Sequence, residues 1–175
     1  TTASVTEGGS TDTFTVVLDA EPASDVVLTV SSADTDEATV SAASLTFTTA
    51  NWSNPQTIDV TGVDDDVDDG DQDTTITVAV DDDSSDDAYD DVADSTVTAT
   101  TVDDDTVGYT LSATIASVTE GGSTDSFTVV LDAEPASDVV LTVLSADTDE
   151  ATVSAASLTF TTANWSNPQT IDVTG

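Results

Sequence analysis

Apolar and polar residues alternate along most of the chain. In 13–19, Phe14, Val16 and Leu18 fall on one face, and in 73–80 Ile76 and Val78 do the same. Residues two apart share a face only in a β-strand. The alternation predicts eight short strands in the first hundred residues: Ala3–Thr6, Thr13–Asp19, Asp25–Ser31, Glu37–Ser41, Ser44–Thr48, Gln56–Val63, Asp73–Val80 and Ser95–Val102.

Turn residues separate these segments, among them Gly8-Gly9, Asn54-Pro55 and Gly70. Helical periodicity is absent, and the abundance of Thr and Val disfavours helix. Short, regularly spaced strands predict an all-β, immunoglobulin-like antiparallel β-sandwich with Greek-key connections. The predicted core residues are Phe14, Leu18, Leu28, Phe47, Trp52, Ile58 and Val78.

A long internal repeat sets the domain organisation. Residues 3–62 recur at 116–175, 113 positions later, and only Thr13/Ser126 and Ser31/Leu144 differ. We therefore expect a tandem repeat, with one complete module at 1–105 and a second, truncated copy at 106–175. The second copy lacks the equivalent of 63–105. Either the polypeptide continues, or a neighbouring chain supplies the missing strands by strand addition, and both options stay open.

The charged residues of the chain are all acidic, which limits the kinds of site that it can form. The chain has 36 Asp and Glu and no Lys, Arg or His, for a formal charge of −36. Two carboxylates about 4 Å apart repel by roughly 4 kcal/mol at an effective dielectric of 20. With no basic side chain to pair with, the acids must spread over the surface or gather around cations from solution.

The missing residue types exclude whole classes of function. Without His, Cys or Lys there is no Ser-His-Asp triad, Cys-His pair or Schiff base, and no imidazole or thiolate metal site. We expect no enzyme activity. A chain this acidic repels phosphate, so nucleic acid is not an expected partner. No stretch is apolar enough to predict membrane insertion.

The acids are concentrated rather than uniform. Of the 36, 18 fall within residues 63–105, including the runs Asp64–Asp66 and Asp103–Asp105. Calcium takes six to eight oxygen ligands and favours carboxylates, so consecutive Asp residues in loops suit it. An EF-hand does not fit, because Val67 falls where that loop needs an oxygen ligand.

The order of these motifs resembles the Calx-β family. The matching stretches are Val5-Thr6-Glu7-Gly8-Gly9, the Asp triplet after a later strand, and the Asp triplet after Val102. Such modules form the calcium sensor of sodium–calcium exchangers and recur in large bacterial surface proteins. The resemblance implies a Ca2+ site at one end of the sandwich, with the ligands Glu7, Asp36, Asp64, Asp65, Asp66, Asp69, Asp103, Asp104 and Asp105.

Two of those assignments have alternatives: Asp68 for Asp69, and Asp34 or Glu37 for Asp36. The function we expect is a calcium-binding structural repeat of an extracellular or cell-surface adhesin, stalk or filament. Ca2+ at the module junction would stiffen the array, whose partners are calcium ions and neighbouring copies, with possible strand exchange between chains. The alternatives are a regulatory calcium-sensor module and a carbohydrate-binding module.

Overall fold

A computed structural model describes all residues, Thr1–Gly175, and is built almost entirely of strands. The chain forms two compact units. The first comprises Thr1–Asp65 and Asp69–Asp104, and the second Asp66–Asp68 and Asp105–Gly175. The helical content is two single 3-10 turns, Asp82–Ser84 and Asp87–Tyr89. None of the helices has the length and apolarity needed to cross a bilayer.

The first unit is a sandwich of two sheets. One sheet has the strand order β1-β8-β7-β3-β5 and the other β2-β6-β4. Their bounds are β1 Thr2–Thr6, β2 Thr11–Val16, β3 Val26–Ser32, β4 Ala38–Val40, β5 Ser44–Phe47, β6 Gln56–Gly62, β7 Gln72–Val80 and β8 Ser95–Val102. The chain crosses repeatedly between the sheets, so the predicted all-β, immunoglobulin-like sandwich is confirmed.

The core lies where the inward faces of the two sheets meet. Of the predicted core residues, Phe47 and Ile58 are fully buried there, and Phe14, Leu18, Leu28 and Val78 are buried as well. Trp52 differs from the prediction, because it is half-buried at the margin of the core. It sits in the turn between β5 and β6, and its carbonyl oxygen accepts a hydrogen bond from the N–H of Leu18 at 3.2 Å.

One strand pair departs from the antiparallel pattern. β1 pairs with β8 in parallel, in a register that runs from Thr2–Thr98 to Thr6–Val102. Parallel neighbours need a long connection, and here almost the whole unit lies between the two strands. The first and last strands of the unit therefore lie side by side and point the same way.

The second unit repeats part of this arrangement. Its strands form two small sheets, β12-β14-β10-β9 and β11-β13. Their bounds are β9 Tyr109–Leu111, β10 Thr124–Leu131, β11 Val139–Thr142, β12 Thr152–Val153, β13 Ser157–Phe160 and β14 Gln169–Thr174. Phe160 and Ile171 are fully buried, whereas Leu144 is 83% exposed, at a position whose counterpart in the first unit, Ser31 of β3, is exposed as well.

A tetrapeptide shared by the two units shows how much a strand depends on its partner. Ala-Ser-Val-Thr at residues 3–6 is part of β1, with Ala3 and Val5 buried. The same four residues at 116–119 form no strand. β1 is held in its sheet by β8 alone, and the second unit has no equivalent of β8. The available partner, and not local propensity, decides the structure here.

Candidate metal centre

Strand direction gathers the acidic loops at one end of the first unit. The parallel β1–β8 register ends at the pair Thr6–Val102, so Glu7 and Asp103 leave the sheet together. β7 runs antiparallel to β8 and begins with Gln72 opposite Thr101. The residues just before β7, including Asp69, therefore lie at this same end.

Gly62, the last residue of β6, brings a further acidic loop to that end. A Cβ atom at Gly62 would collide with the carbonyl group of Thr6 in β1. The N–H of Gly62 donates to the carbonyl oxygen of Ser10 at 3.1 Å. Glycine thus lets β6 approach β1 closely, and the chain then continues into Asp64 and Asp65.

Glu7 is the centre of this acidic end. Its side chain is only 3% exposed, and its Oε2 atom is buried with no hydrogen-bond partner. The N–H of Glu7 donates to the carbonyl oxygen of Val102 at 3.1 Å, and the Glu7 carboxylate accepts from the N–H of Asp104. Buried polar atoms are nearly always paired, so a buried carboxylate oxygen without a partner requires an explanation.

The electrostatic environment of Glu7 is equally unusual. Burial, followed by the negative charges of Asp65, Asp103 and Asp69, raises the pKa of Glu7 from 4.5 to about 7, although the hydrogen bond from the Asp104 N–H acts in the opposite sense. Without a cation, the ionised carboxylate is therefore less favoured here than in an exposed glutamate.

Two carboxylates of the first unit lie close enough to share an ion. Oxygen atoms of Glu7 and Asp104 are within 4.8 Å of each other. Gly8 lies against two acids, since a Cβ atom there would be 3.7 Å from Asp64 Oδ1 and 3.8 Å from Asp104 Oδ2. The φ of Gly8 is +77°, a value that favours glycine and turns the chain beside these carboxylates.

Backbone contacts hold the loop before β7 in place. The N–H of Gly70 donates to Asp103 Oδ2 at 2.6 Å, and the N–H of Asp103 donates to Asp71 Oδ1 at 3.3 Å. The φ of Gly70 is +80°, which again favours glycine. The acidic loop is thus tied to the end of β8 by its own backbone.

Near β4, the structure favours Glu37 over Asp36 as a contributor. Glu37 is half-buried, and its pKa is raised by burial and then by the nearby charges of Asp69 and Asp34. Its carbonyl oxygen accepts from the N–H of Val63 at 2.9 Å and from the Thr101 hydroxyl at 3.1 Å. Asp36 is exposed, and its role as a ligand stays a prediction.

Asp66 and Asp68 belong to the second unit, where the carbonyl oxygen of Asp66 accepts from the N–H of Glu134 at 2.6 Å. Asp68 Oδ2 accepts from the N–H of Val107 at 2.7 Å. Asp69 belongs to the first unit, and its charge is among those that raise the pKa of Glu7. The roles of Asp66 and Asp69 as ligands, with Asp68 as the alternative to Asp69, stay predictions.

The donor set suits a hard divalent cation. It consists of carboxylate oxygens around a buried oxygen that lacks a partner, and no imidazole or thiolate is present in the chain. Calcium prefers such ligands and tolerates irregular geometry. Glu7 and Asp104 would hold the ion most directly, with Asp64, Asp65 and Asp103 beside them. A bound cation would remove the repulsion that raises the pKa of Glu7.

Asp86, an acidic residue outside the candidate metal centre, has a structural role. Asp86 Oδ2 accepts from the N–H groups of Ala23 and Ser24 at 2.6 and 3.1 Å, and its Oδ1 accepts from Ala88 N–H at 3.1 Å. These hydrogen bonds lower the pKa of Asp86. The position of Asp86 just before the turn Asp87–Tyr89 is the N-cap pattern that could have revealed it.

Comparison with solved structures finds matches of low similarity, three of which are as follows. CBD12 from CALX1.2 has a TM-score of 0.39 and 14% identity, and the calcium binding domain CBD12 of CALX1.1 has 0.36 and 17%. Each match covers 99% of this chain and 72% of the other. SSP-19, an MSP-domain protein like family member in Caenorhabditis elegans, has a TM-score of 0.37 and 18% identity, covering 58% of this chain and 92% of the other.

The chain matches no family model and no curated protein sequence. The assignment of a metal centre therefore rests on the chain's own residues.

Proposed function

We propose that the first unit is a calcium-binding structural module of an extracellular adhesin, stalk or filament, and that the ion stiffens the end where β1 and β8 finish. The proposal involves no catalysis. The native partners would be calcium ions and further copies of the repeat, in a location where calcium is plentiful.

One observation carries the proposal: the buried Oε2 atom of Glu7 has no hydrogen-bond partner and lies among aspartates. Burying a carboxylate without compensation costs several kcal/mol. The chain has no cationic side chain that could supply the compensation. Below about pH 7 a proton can neutralise Glu7, but at higher pH a cation from solution is the remaining source of positive charge, and carboxylate ligands select calcium or magnesium.

The repeat favours a structural role over a regulatory one. A sensor needs few modules with specialised surfaces, whereas residues 3–62 and 116–175 are almost identical. A spacer gains from repetition, since each copy adds length and the same calcium-dependent stiffness. A salty, calcium-rich exterior also suits so many acids, because salt screens their mutual repulsion.

The direct test is thermal unfolding of the chain in millimolar calcium, in magnesium and in a chelator. We expect calcium to raise the melting temperature, because an ion that binds only the folded state stabilises it by mass action. Equal melting temperatures in calcium and chelator would contradict a calcium site. Submicromolar affinity with a large change of shape on binding would favour the sensor alternative.

A further inference from the structure

The first unit has a deep groove along the open edge of β2. β2 pairs with β6 on one side, and no strand pairs with its other side. The groove beside it has a volume of about 1040 Å³. Its apolar lining includes Phe14, Leu18, Val78, Tyr89 and Val97.

In the second unit a strand occupies the corresponding edge. β9 pairs antiparallel with β10 in the register Leu111–Val129, Thr110–Val130 and Tyr109–Leu131. The N–H of Asp132 donates to the carbonyl oxygen of Gly108 at 3.0 Å, and the N–H of Ser112 donates to that of Thr128 at 3.0 Å.

The repeat of 113 residues makes Val129, Val130 and Leu131 the counterparts of Val16, Val17 and Leu18. The sequences of these two edges are identical. Whatever pairs with the edge in the second unit therefore finds the same surface in the first.

The two edges differ in burial in the way that an added strand would produce. Val17 is 44% exposed and Val16 half-buried, whereas Val129 is only 3% exposed. Ala20 is exposed, but its counterpart Ala133 is buried. These differences arise even though the second unit has fewer strands overall.

The position of the cavities points the same way. The second unit has a cavity of about 260 Å³, and Tyr109 of β9 forms part of its wall. Leu131, Ala133 and Pro135 also line it, and their counterparts line the groove of the first unit.

We propose that the groove of the first unit is an acceptor site for a β-strand with the sequence of Val107–Leu111, donated by another copy of the repeat. Such a strand would pair with the free edge of β2 through backbone hydrogen bonds, as in β-strand addition. Its tyrosine and leucine would face inward, because Tyr109 and Leu111 lie opposite the buried Leu131 and Val129.

The tyrosine and leucine of a donated strand would be more deeply buried in the first unit than Tyr109 and Leu111 are in the second. Tyr109 and Leu111 are 56% and 39% exposed in the second unit, which lacks the strands equivalent to β7 and β8. In the first unit, Val78 and Val97 of those strands line the groove. An inserted tyrosine would thus be packed from both sheets.

The test is a chain carrying an additional copy of residues 106–113, Thr-Val-Gly-Tyr-Thr-Leu-Ser-Ala, directly before Thr1. This reproduces the spacing of the second copy, in which Ala113 precedes Thr114. We expect the amide hydrogens of Val17 and Asp19 to exchange at least about tenfold more slowly. These two are the counterparts of Val130 and Asp132, whose edge β9 pairs.

The matched control carries proline in place of the second threonine of the added segment. The flanking bonds at Gly108 and Ser112 make Thr110 a hydrogen-bonded partner of Val130, so proline removes a needed donor. We expect this control to leave the exchange of Val17 and Asp19 unchanged. Equal protection by both extensions, or none by either, would overturn the proposal. Both measurements are made in chelator, so they do not depend on calcium.

Discussion

The N–H of Glu7 donates to the carbonyl oxygen of Val102, and this bond places the buried Glu7 carboxylate beside the aspartates that follow β8. The contact joins the first and last strands of one unit at the point where both end. The geometry of the candidate metal centre follows from this single register.

Replacing Glu7 with glutamine tests the centre directly. Glutamine keeps the shape but removes a buried charge that neighbouring aspartates repel. In chelator we expect Glu7→Gln to stabilise the first unit by about 1–3 kcal/mol, and in calcium we expect most of the ion-dependent gain to disappear. Paired melting curves in chelator and calcium measure both effects.

Glu120→Gln is the matched control for that change, because Glu120 is the exposed counterpart of Glu7 in the second unit. It should alter neither curve. A Glu7→Gln chain that gains as much from calcium as the unaltered chain would contradict a role for Glu7 in binding.

Without calcium, the free energy of unfolding should still depend on pH at values above the ordinary pKa of glutamate. The pKa of Glu7 is raised from 4.5 to about 7, so between these values the folded state holds a proton that the unfolded state has lost. The contribution is full below pH 4.5 and is lost as the pH rises through 7, by about 3 kcal/mol at most. Urea unfolding in chelator between pH 5 and 8 measures it, and Glu7→Gln should flatten the curve.

Calcium binding should favour the ionised form of the Glu7 carboxyl, whereas the calcium-free fold favours the protonated form. The ion favours the ionised carboxylate, so calcium affinity should increase as the pH rises through about 7. Calorimetric titrations at three pH values across that range test this. An affinity that does not change with pH would mean that Glu7 is not protonated in the calcium-free protein.

Asp86 should prove important for stability and irrelevant for calcium. Asp86→Ala removes an acceptor for the N–H groups of Ala23, Ser24 and Ala88. We expect a lower melting temperature with an unchanged calcium affinity. Asp91→Ala, in the same loop at an exposed position, serves as the control. Equal melting temperatures for the two variants would refute the structural role of Asp86.

Gly62→Ala should disturb the metal centre from a distance. Its Cβ atom would meet the Thr6 carbonyl, so β6 must move away from β1. Overpacking of this kind costs about 1–3 kcal/mol, and the movement should also weaken calcium binding through Asp64 and Asp65. Thr57→Ala, at an exposed position of the same strand, is the control. Unchanged calcium affinity in Gly62→Ala would show that the centre does not depend on this approach.

Completing the second unit should create a second metal centre. A chain extended after Gly175 by a copy of residues 63–105 supplies the missing partner for 116–119. We expect those residues to form a strand, seen as amide protection of Val118, and the calcium stoichiometry to double. The same extension with asparagine for the last Asp triplet should protect Val118 without adding calcium. Protection in neither chain would contradict the partner requirement.

Much of the strand pattern could be read from the sequence because period-two alternation is a local property. β8 begins and ends where the alternation predicts, and most other strands agree within one or two residues. β2 is the largest departure: it ends at Val16, and the buried Leu18 is held in the following segment by its bond to Trp52.

Long-range pairing could not be read in the same way. The parallel alignment of β1 with β8 joins residues almost a hundred positions apart, and no local pattern encodes it. Glu37 lies at the acidic end because its carbonyl oxygen accepts hydrogen bonds from Val63, which follows β6, and from Thr101 of β8.

The parallel β1–β8 pair also determines how the first unit would respond to tension. If the chain were pulled at Thr1 and at Asp104 in opposite directions, β1 and β8 would be dragged along each other's length. All five aligned positions of the pair would then carry the load together, rather than opening one at a time as in a peeled hairpin. The unit would yield abruptly at a high force, as a shear-loaded clamp does.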